Sequence, residues 1–222
     1  MSETLGTEVT ASGSTIVVRL LNCGVVAGPL FLAVWLIQAL TRDGFDLTKH
    51  PLSLLALGDK GWVQILNFVV CGSLFVAFAV GVRRTLRDGR GSTWAPLLLG
   101  VTGVGLIVAG LFTTDPGAGF PPGAPAGAPE QVSWHGVLHE VGFAMAQVWI
   151  VANVVLARRF AHARDRGWVW ACYAAPVLVL AVDGLPHTDS LPIRLVIGTA
   201  IQFTFVAVLS VRLRRPVPSR VP

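Results

Sequence analysis

Long apolar blocks dominate the chain, and their lengths predict its fold. A helix needs about 20 consecutive apolar residues to cross the hydrocarbon core of a bilayer. Six blocks suit such helices, and the Gly and Pro residues inside them are tolerated in lipid. They are Thr15–Thr41, Trp62–Val82, Thr93–Thr113, Trp134–Leu156, Trp168–Leu185 and Leu191–Leu213. The sequence therefore predicts an all-α integral membrane protein, a bundle of six transmembrane helices.

The composition leaves little material for a soluble domain. Of the 222 residues, 53% are hydrophobic and 13% are charged, which is far from the composition of a soluble globule. We predict one six-helix domain over residues 15–215, with a disordered cytoplasmic tail at 1–14 and a cytoplasmic tail at 216–222. The first block is too long for a signal peptide, and no basic residue precedes it.

The arginines predict the orientation of the chain. Most of them lie in the second and fourth loops or at the end of the last block: Arg83, Arg84, Arg87, Arg90, Arg158, Arg159, Arg164, Arg166, Arg212, Arg214, Arg215 and Arg220. Because loops rich in Lys and Arg stay in the cytoplasm, both termini are predicted to be cytoplasmic, in a multi-pass protein of the inner (plasma) membrane. The net charge of +5 is then a topology signal that also attracts anionic membrane lipids, and it does not indicate a nucleic-acid partner.

Acidic residues and histidines gather on the opposite, outer side. The set comprises Asp43, Asp46, Asp59, Asp115, Glu130, Glu140, Asp183, Asp189, His50, His135, His139 and His187. This polar cluster is the strongest indication of function in the sequence. Fingerprints of nucleotide cofactors, such as a glycine-rich phosphate loop, are absent from the sequence.

His135 and His139 are spaced to share one face of the fourth helix. The spacing suits metal ligands, although His-Gly-Val-Leu-His lacks the glutamate of the zinc-protease motif. The positive N-terminus of this inward helix favours neutral imidazoles, whereas Asp115 and Asp183 are predicted at the negative C-termini of outward helices. A bound cation would suit this arrangement. The alternatives are hydrogen-bonded interfacial histidines, and an Asp115 that pairs with Arg42, Lys49 or Arg194 or forms a turn before Pro116.

The remaining polar and small residues favour structural roles. Pro51–Leu57 is predicted to form a short interfacial or re-entrant helix, and 116–129 a linker or a mobile flap. Gly105 with Ala109, and Gly142 with Ala146, have the spacing of close helix packing. Polar side chains inside the blocks are expected to bond across helices, with Gln147 as a possible pocket floor, and the cysteines to be buried thiols: Asn22, Gln38, Gln64, Asn67, Asn153, Gln202, Cys23, Cys71 and Cys172.

Three segments resemble an uncharacterised prokaryotic integral-membrane family, classified as a domain of unknown function. They are Gly-Leu-Phe-Thr-Thr-Asp-Pro-Gly at 110–117, Trp-His-Gly-Val-Leu-His at 134–139 and His-Pro-Leu-Ser-Leu-Leu-Ala-Leu-Gly at 50–58. The resemblance covers most of residues 19–214 and implies a six-helix membrane fold.

A more remote similarity is to the membrane hydrolases that include alkaline ceramidases and adiponectin-type receptors. It implies zinc held by His135 and His139 with His50 as a third ligand, and it matches Asp115 and Ser53 to the supporting carboxylate and serine. That superfamily has seven helices and carries the pair on the last, whereas here the pair lies on the fourth of six.

Two classes of function follow. The first is an enzyme that acts on a lipid or isoprenoid at the outer membrane face through Asp115, His135 and His139. It is either a zinc hydrolase, in which Asp183 or Glu140 moves the proton, or a cyclase in which a protonated Asp115 is the general acid. The second is a transporter, sensor or assembly factor with no catalysis, whose polar cluster orders the outer loops.

Overall fold

The computed structural model describes residues 2–129, 131–186 and 190–214. Its helices are α1 (Ser2–Thr41), a 3-10 helix (Leu52–Ala56), α2 (Gly61–Thr85), α3 (Trp94–Leu111), α4 (Trp134–Ala146), α5 (Trp149–His162), α6 (Arg166–Asp183) and α7 (Leu191–Arg214). No β-strand occurs within these ranges. Glu130, His187, Asp189 and the tail 216–222 lie outside the described residues. The predicted all-α fold is confirmed.

Among the described residues, five helical segments are long and apolar enough to cross a membrane. They are Thr15–Thr41, Gly61–Thr85, Trp94–Leu111, Trp134–His162 and Leu191–Arg214. The fourth of these consists of α4 and α5, which follow each other in one rod with a break at Gln147 and Val148. The remaining helix, α6, has 18 residues and carries a charged residue at each end. Its crossing of the membrane remains a prediction.

The N-terminal helix is longer than its apolar block. The structure gives α1 from Ser2, and the disordered tail expected up to residue 14 stays a prediction. The part apolar enough for a membrane still begins at Thr15.

The helices pack in a closed ring. Along the ring α1 contacts α2, α2 contacts α3, α3 contacts α5, α5 contacts α6, α6 contacts α7, and α7 returns to α1. The core is filled by large side chains that are at most 1% exposed, among them Phe31, Phe75, Phe78, Leu99, Trp149 and Leu209. The other half of the broken rod, α4, packs on α3 and stands beside the ring.

Buried amides join α1 to α2, as the sequence predicts for polar residues within spans. The Gln38 Nε2 group donates to Gln64 Oε1 at 2.8 Å, and the Asn67 Nδ2 group donates to the backbone carbonyl of Phe31 at 3.0 Å. Because water is absent from a bilayer core, such bonds leave fewer polar groups unsatisfied. These residues hold the bundle together and are not part of a site.

Small residues allow α3 and α4 to approach closely, as their spacing predicts. A Cβ atom placed on Gly142 would lie 2.5 Å from the backbone N of Ala109 and 2.8 Å from the carbonyl oxygen of Gly105. A Cβ on Gly105 would likewise lie 2.5 Å from the backbone N of Ala146. Since these neighbours are backbone atoms, they cannot rotate away.

We therefore expect Gly142→Ala to destabilise the protein. Forcing α4 away from α3 should cost about 1–3 kcal/mol, the usual range for overpacking. Gly100→Ala on α3 is the control outside this contact, because its nearest neighbour would be the Cβ of Ala79 on α2 at 3.9 Å. Thermal unfolding in detergent measures both. Equal melting temperatures for the two variants would contradict the close contact.

Candidate functional site

A cavity of about 1330 Å³ opens where α4 stands apart from the ring. One wall is formed by α3 and α4, and the other by α6 and α7. The floor is aromatic, with the rings of Phe31 and Phe68 5.3 Å apart and those of Phe31 and Phe203 5.4 Å apart. Gln147, at the break between α4 and α5, also lines the cavity. Beside this break, the cavity occupies the space between α4 and α7.

The roof of the cavity is a folded loop. Residues 117–129, here called the loop cover, are joined internally by bonds from Ala118 N–H to Gly127 O at 2.7 Å and from Gly119 N–H to Pro125 O at 2.8 Å. Phe120 is 1% exposed and packs against Phe45 at 5.3 Å between ring centroids. Phe120 therefore anchors the loop cover on the first loop, and the linker or mobile flap expected at 116–129 stays a prediction.

His50 ties the loop cover to the first loop. Its Nδ1 atom accepts from the backbone N–H of Asp46 at 2.8 Å, so the proton is on Nε2, which donates to the carbonyl of Ala118 at 3.0 Å. Arg42 lies 5.6 Å above the Phe120 ring and donates to the carbonyl of Leu57 at 2.6 Å. In this arrangement both ring nitrogens of His50 are engaged by the backbone, so neither offers a lone pair to a metal ion.

His139 lines the cavity and is held in one tautomer. Its Nδ1 atom lies 2.8 Å from the carbonyl oxygen of Ala109 and 3.0 Å from that of Phe112. Because carbonyl oxygens only accept, Nδ1 carries a proton, and in the neutral ring the lone pair is on Nε2. The side chain is 5% exposed and borders the cavity. His139 therefore has the geometry of a base whose orientation is fixed by the backbone.

His135 does not share this position. Its Nδ1 atom lies 3.0 Å from the carbonyl of Thr113 and 3.0 Å from the hydroxyl of Ser133, and its ring contacts Trp134 at 5.6 Å. It is half-buried and is not among the residues that border the cavity. The two histidines lie one turn apart on α4. His139 borders the cavity, and His135 lies outside it.

Asp115 fastens the start of α4. The sequence argument places it at the negative end of the third helix, but α3 ends at Leu111. Its Oδ2 atom instead accepts the backbone N–H of Ser133 at 3.0 Å, and any side chain on Gly136 would collide with the carboxylate. The charge is therefore compensated by the positive N-terminus of α4. Pairing with Arg42, Lys49 or Arg194 does not occur within the described residues.

The same contacts set the protonation state of Asp115. The Ser133 hydroxyl and, with it, the Ser133 backbone N–H hold the pKa of the Asp115 carboxyl below its ordinary value, against the opposing effect of burial. The carboxylate is thus favoured at neutral pH. This direction does not support the version of the enzyme in which a protonated Asp115 is the general acid.

A depressed pKa predicts a loss of stability in acid. The ionised Asp115 stabilises the fold above its unfolded pKa of about 3.9, and that contribution disappears as the pH falls through the lower folded pKa. Asp115→Asn should fold, since its amide oxygen can accept from Ser133, but its melting temperature should fall less below about pH 4 than that of the wild type. The same substitution at the exposed Asp43 is the control. Parallel melting curves for Asp115→Asn and wild type would contradict this role.

Asp183 is a cavity carboxylate with one buried oxygen, Oδ1, that has no hydrogen-bond partner among the described residues. It is the last residue of α6 and borders the cavity. The Arg194 guanidinium donates to the carbonyls of Leu185 at 2.6 Å and of Asp183 itself at 3.1 Å. Arg194 thereby satisfies the exposed carbonyls at the end of α6.

The remaining predicted residues reach the cavity, and one further residue joins them. Ser53, in the 3-10 helix, and Glu140, at the outer part of α4, both border it. Gln202 of α7 also borders the cavity, is 9% exposed, and makes no hydrogen bond within the described residues. The sequence suggests only interhelical bonding for Gln202, because a glutamine in a span carries no signal of the space beside it.

The donor set expected for zinc does not assemble. Within residues 2–129, 131–186 and 190–214, no group of three or more His, Cys, Asp or Glu side chains is arranged to hold a metal ion. His50 bonds through both nitrogens, His135 lies away from the cavity, and Asp115 is engaged by Ser133. Asp115, His139, Asp183 and Ser53 therefore line the same cavity. They do not form a metal site within the described residues.

These features define an all-helical membrane protein with a polar-rimmed cavity between its helices. Residues 25–212 match the family model described as a protein of unknown function, DUF998. Because the match spans most of the chain, the protein belongs to this family, as the three sequence segments suggest. No curated protein and no solved structure matches the chain.

Proposed function

We propose that the protein is a membrane-embedded enzyme that acts on a lipid or isoprenoid amphiphile at the outer face of the membrane. His139 is the residue that acts on the substrate, through Nε2. The observation that carries this proposal is the position of His139, which lines a large, mostly apolar cavity with its tautomer fixed by Ala109 and Phe112.

The shape of the cavity supports an amphiphilic ligand. The floor of phenylalanines suits a hydrocarbon tail, while the carboxylates and His139 suit a polar head. Phe143 of α4 and Leu191 of α7 border the cavity and are 42% and 36% exposed. The gap between these two helices gives a ligand lateral access from the bilayer, with its tail still in an apolar environment.

The chemistry that His139 supports is proton transfer. Its Nε2 lone pair can take a proton from a water molecule or a substrate hydroxyl, which becomes a nucleophile. The carbonyls of Ala109 and Phe112 keep the Nδ1 proton in place and stabilise the imidazolium that forms. Asp115 adds a negative charge close enough to interact with His139. This reaction needs no metal ligand.

A carrier or sensor that binds the same amphiphile without converting it is the second candidate. The observation in its favour is that the contacts of Asp115 and His135 are structural. Lipid extracts distinguish the two functions. Cells that lack the gene should accumulate one amphiphile and lose another if the protein is an enzyme, and both levels should return when the gene is restored. An unchanged set of lipids would favour the carrier.

The outer location of the cavity follows from the predicted orientation. A reporter fused after Pro222 should score cytoplasmic, because the arginines that end α7 and fill the second and fourth loops favour that side. A reporter inserted at Gly123 in the loop cover should score external, and one at Gly89 is the internal control. An external C-terminus would place the cavity at the inner face instead.

A further inference from the structure

We propose that the cavity recognises a cationic amine head group, which is bound by Asp183 and Gln202 on the wall formed by α6 and α7. This inference rests on the proposed function, since it assigns the head group of the same amphiphile. It concerns the wall opposite His139.

Asp183 lies directly on the backbone of α7. A Cβ atom placed on Gly198 would lie 2.9 Å from Asp183 Oδ2 and 3.0 Å from Oδ1. The carboxylate therefore covers the glycine, and no larger residue fits there without moving it. Its Oδ1 atom is buried and lacks a partner among the described residues. A buried carboxylate oxygen left in this state is costly, and a ligand that donates a hydrogen bond would satisfy it.

Gln202 lies one turn below this carboxylate on the same face of α7. Gly198 and Gln202 are four residues apart, a rise of about 6 Å along a helix. Gln202 is 9% exposed, borders the cavity and makes no hydrogen bond within the described residues. Two polar side chains thus face the same space, each with hydrogen-bonding capacity that the described protein residues do not use. A head group that donates to Asp183 and carries a second polar atom would engage both.

The charge of the lining favours a cation over an anion. Asp115, Glu140 and Asp183 border the cavity. Among the described lining residues, only Lys49 carries a full positive charge, and it is 3.8 Å from Asp46 and largely exposed. The negative C-terminal end of α6 also lies at Asp183, and the buried Arg194, which donates to the carbonyls there, offsets part of that charge from outside the cavity lining. A phosphate head would meet the three carboxylates directly, whereas a protonated amine gains both charge and hydrogen bonds.

The test compares three amphiphiles that share one tail. The full-length protein, purified in a maltoside detergent, is titrated with dodecylamine, dodecan-1-ol and dodecyl phosphate, and each Kd is taken from the rise in melting temperature. We expect dodecylamine to bind about tenfold or more tightly than dodecan-1-ol, the range for a hydrogen bond to a charged group. Dodecyl phosphate should bind most weakly.

Single substitutions test whether Asp183 is the group that binds the amine. Asp183→Asn should bring the Kd of dodecylamine to that of dodecan-1-ol, and Asp43→Asn, in the first loop, should leave it unchanged. Gly198→Ala displaces the carboxylate without removing it and should also weaken amine binding, which serves as the test if Asp183→Asn does not fold. Retained amine preference in both variants would overturn the inference.

The outcomes separate this inference from the proposed function. If dodecan-1-ol or dodecyl phosphate binds as tightly as the amine, the cavity still takes an amphiphile but the assignment of its head group is wrong. If none of the three raises the melting temperature, the proposed function fails together with the inference.

Discussion

His139→Asn should abolish conversion of the substrate while leaving the protein folded. Asn places its Nδ2 amide close to the position of the His Nδ1 atom, so it can still donate to the carbonyl of Ala109, which His139 reaches at 2.8 Å. It has no counterpart of Nε2. Loss of a general base typically lowers a rate by about 100- to 10,000-fold. The measurement is restoration of the lipid profile in cells that lack the gene, with the amount of protein checked by blotting.

The matched control for this variant is His135→Asn. His135 lies one turn earlier on α4 and also donates through Nδ1 to a backbone carbonyl, that of Thr113 at 3.0 Å. It does not border the cavity, so His135→Asn should retain activity and lose at most some stability. Equal losses in the two variants would indicate a shared role for the pair, and full activity in His139→Asn would remove the base from the site.

Leu195→Trp should prevent ligand binding by filling the cavity. Leu195 borders the cavity from α7 and is half-buried, so the larger indole can extend into the open space without displacing packed core residues. We expect loss of function and loss of the rise in melting temperature with dodecan-1-ol, with no loss of folding. Ile197→Trp is the control, because Ile197 is 44% exposed on the lipid side of the same helix. Equal ligand binding by both variants would contradict the assignment of the cavity.

The helices were predictable because each apolar block matches the thickness of a bilayer. The all-α fold follows from composition, and the small-residue spacing on the third and fourth blocks predicts close packing there, which the structure realises as the contact of Gly105 with Gly142. The cavity does not, since it depends on the break after Ala146. No proline marks that break, where the backbone bonds change to three-residue spacing, from Val148 N–H to Met145 O and from Ile150 N–H to Gln147 O. Tertiary packing of α5 on α6 and α4 on α3 decides where the rod divides.

The role of Asp115 could not be read from the sequence alone. The length of the third apolar block predicts a helix that reaches Asp115, but α3 ends four residues earlier, and the chain folds back to place the carboxylate at the start of α4. Asp183, by contrast, is the last residue of α6 and does lie at the negative end of a helix. The sequence pattern shows which helix a residue belongs to or follows. The path of the loop decides which helix end the side chain then contacts.

The most direct measurement of the central claim is native mass spectrometry of the wild-type protein, released from its own membranes in mild detergent. We expect one amphiphile bound to each chain, retained through purification and lost in Leu195→Trp but not in Ile197→Trp. A wild-type chain without any bound amphiphile, or an adduct that persists unchanged in Leu195→Trp, would contradict the claim.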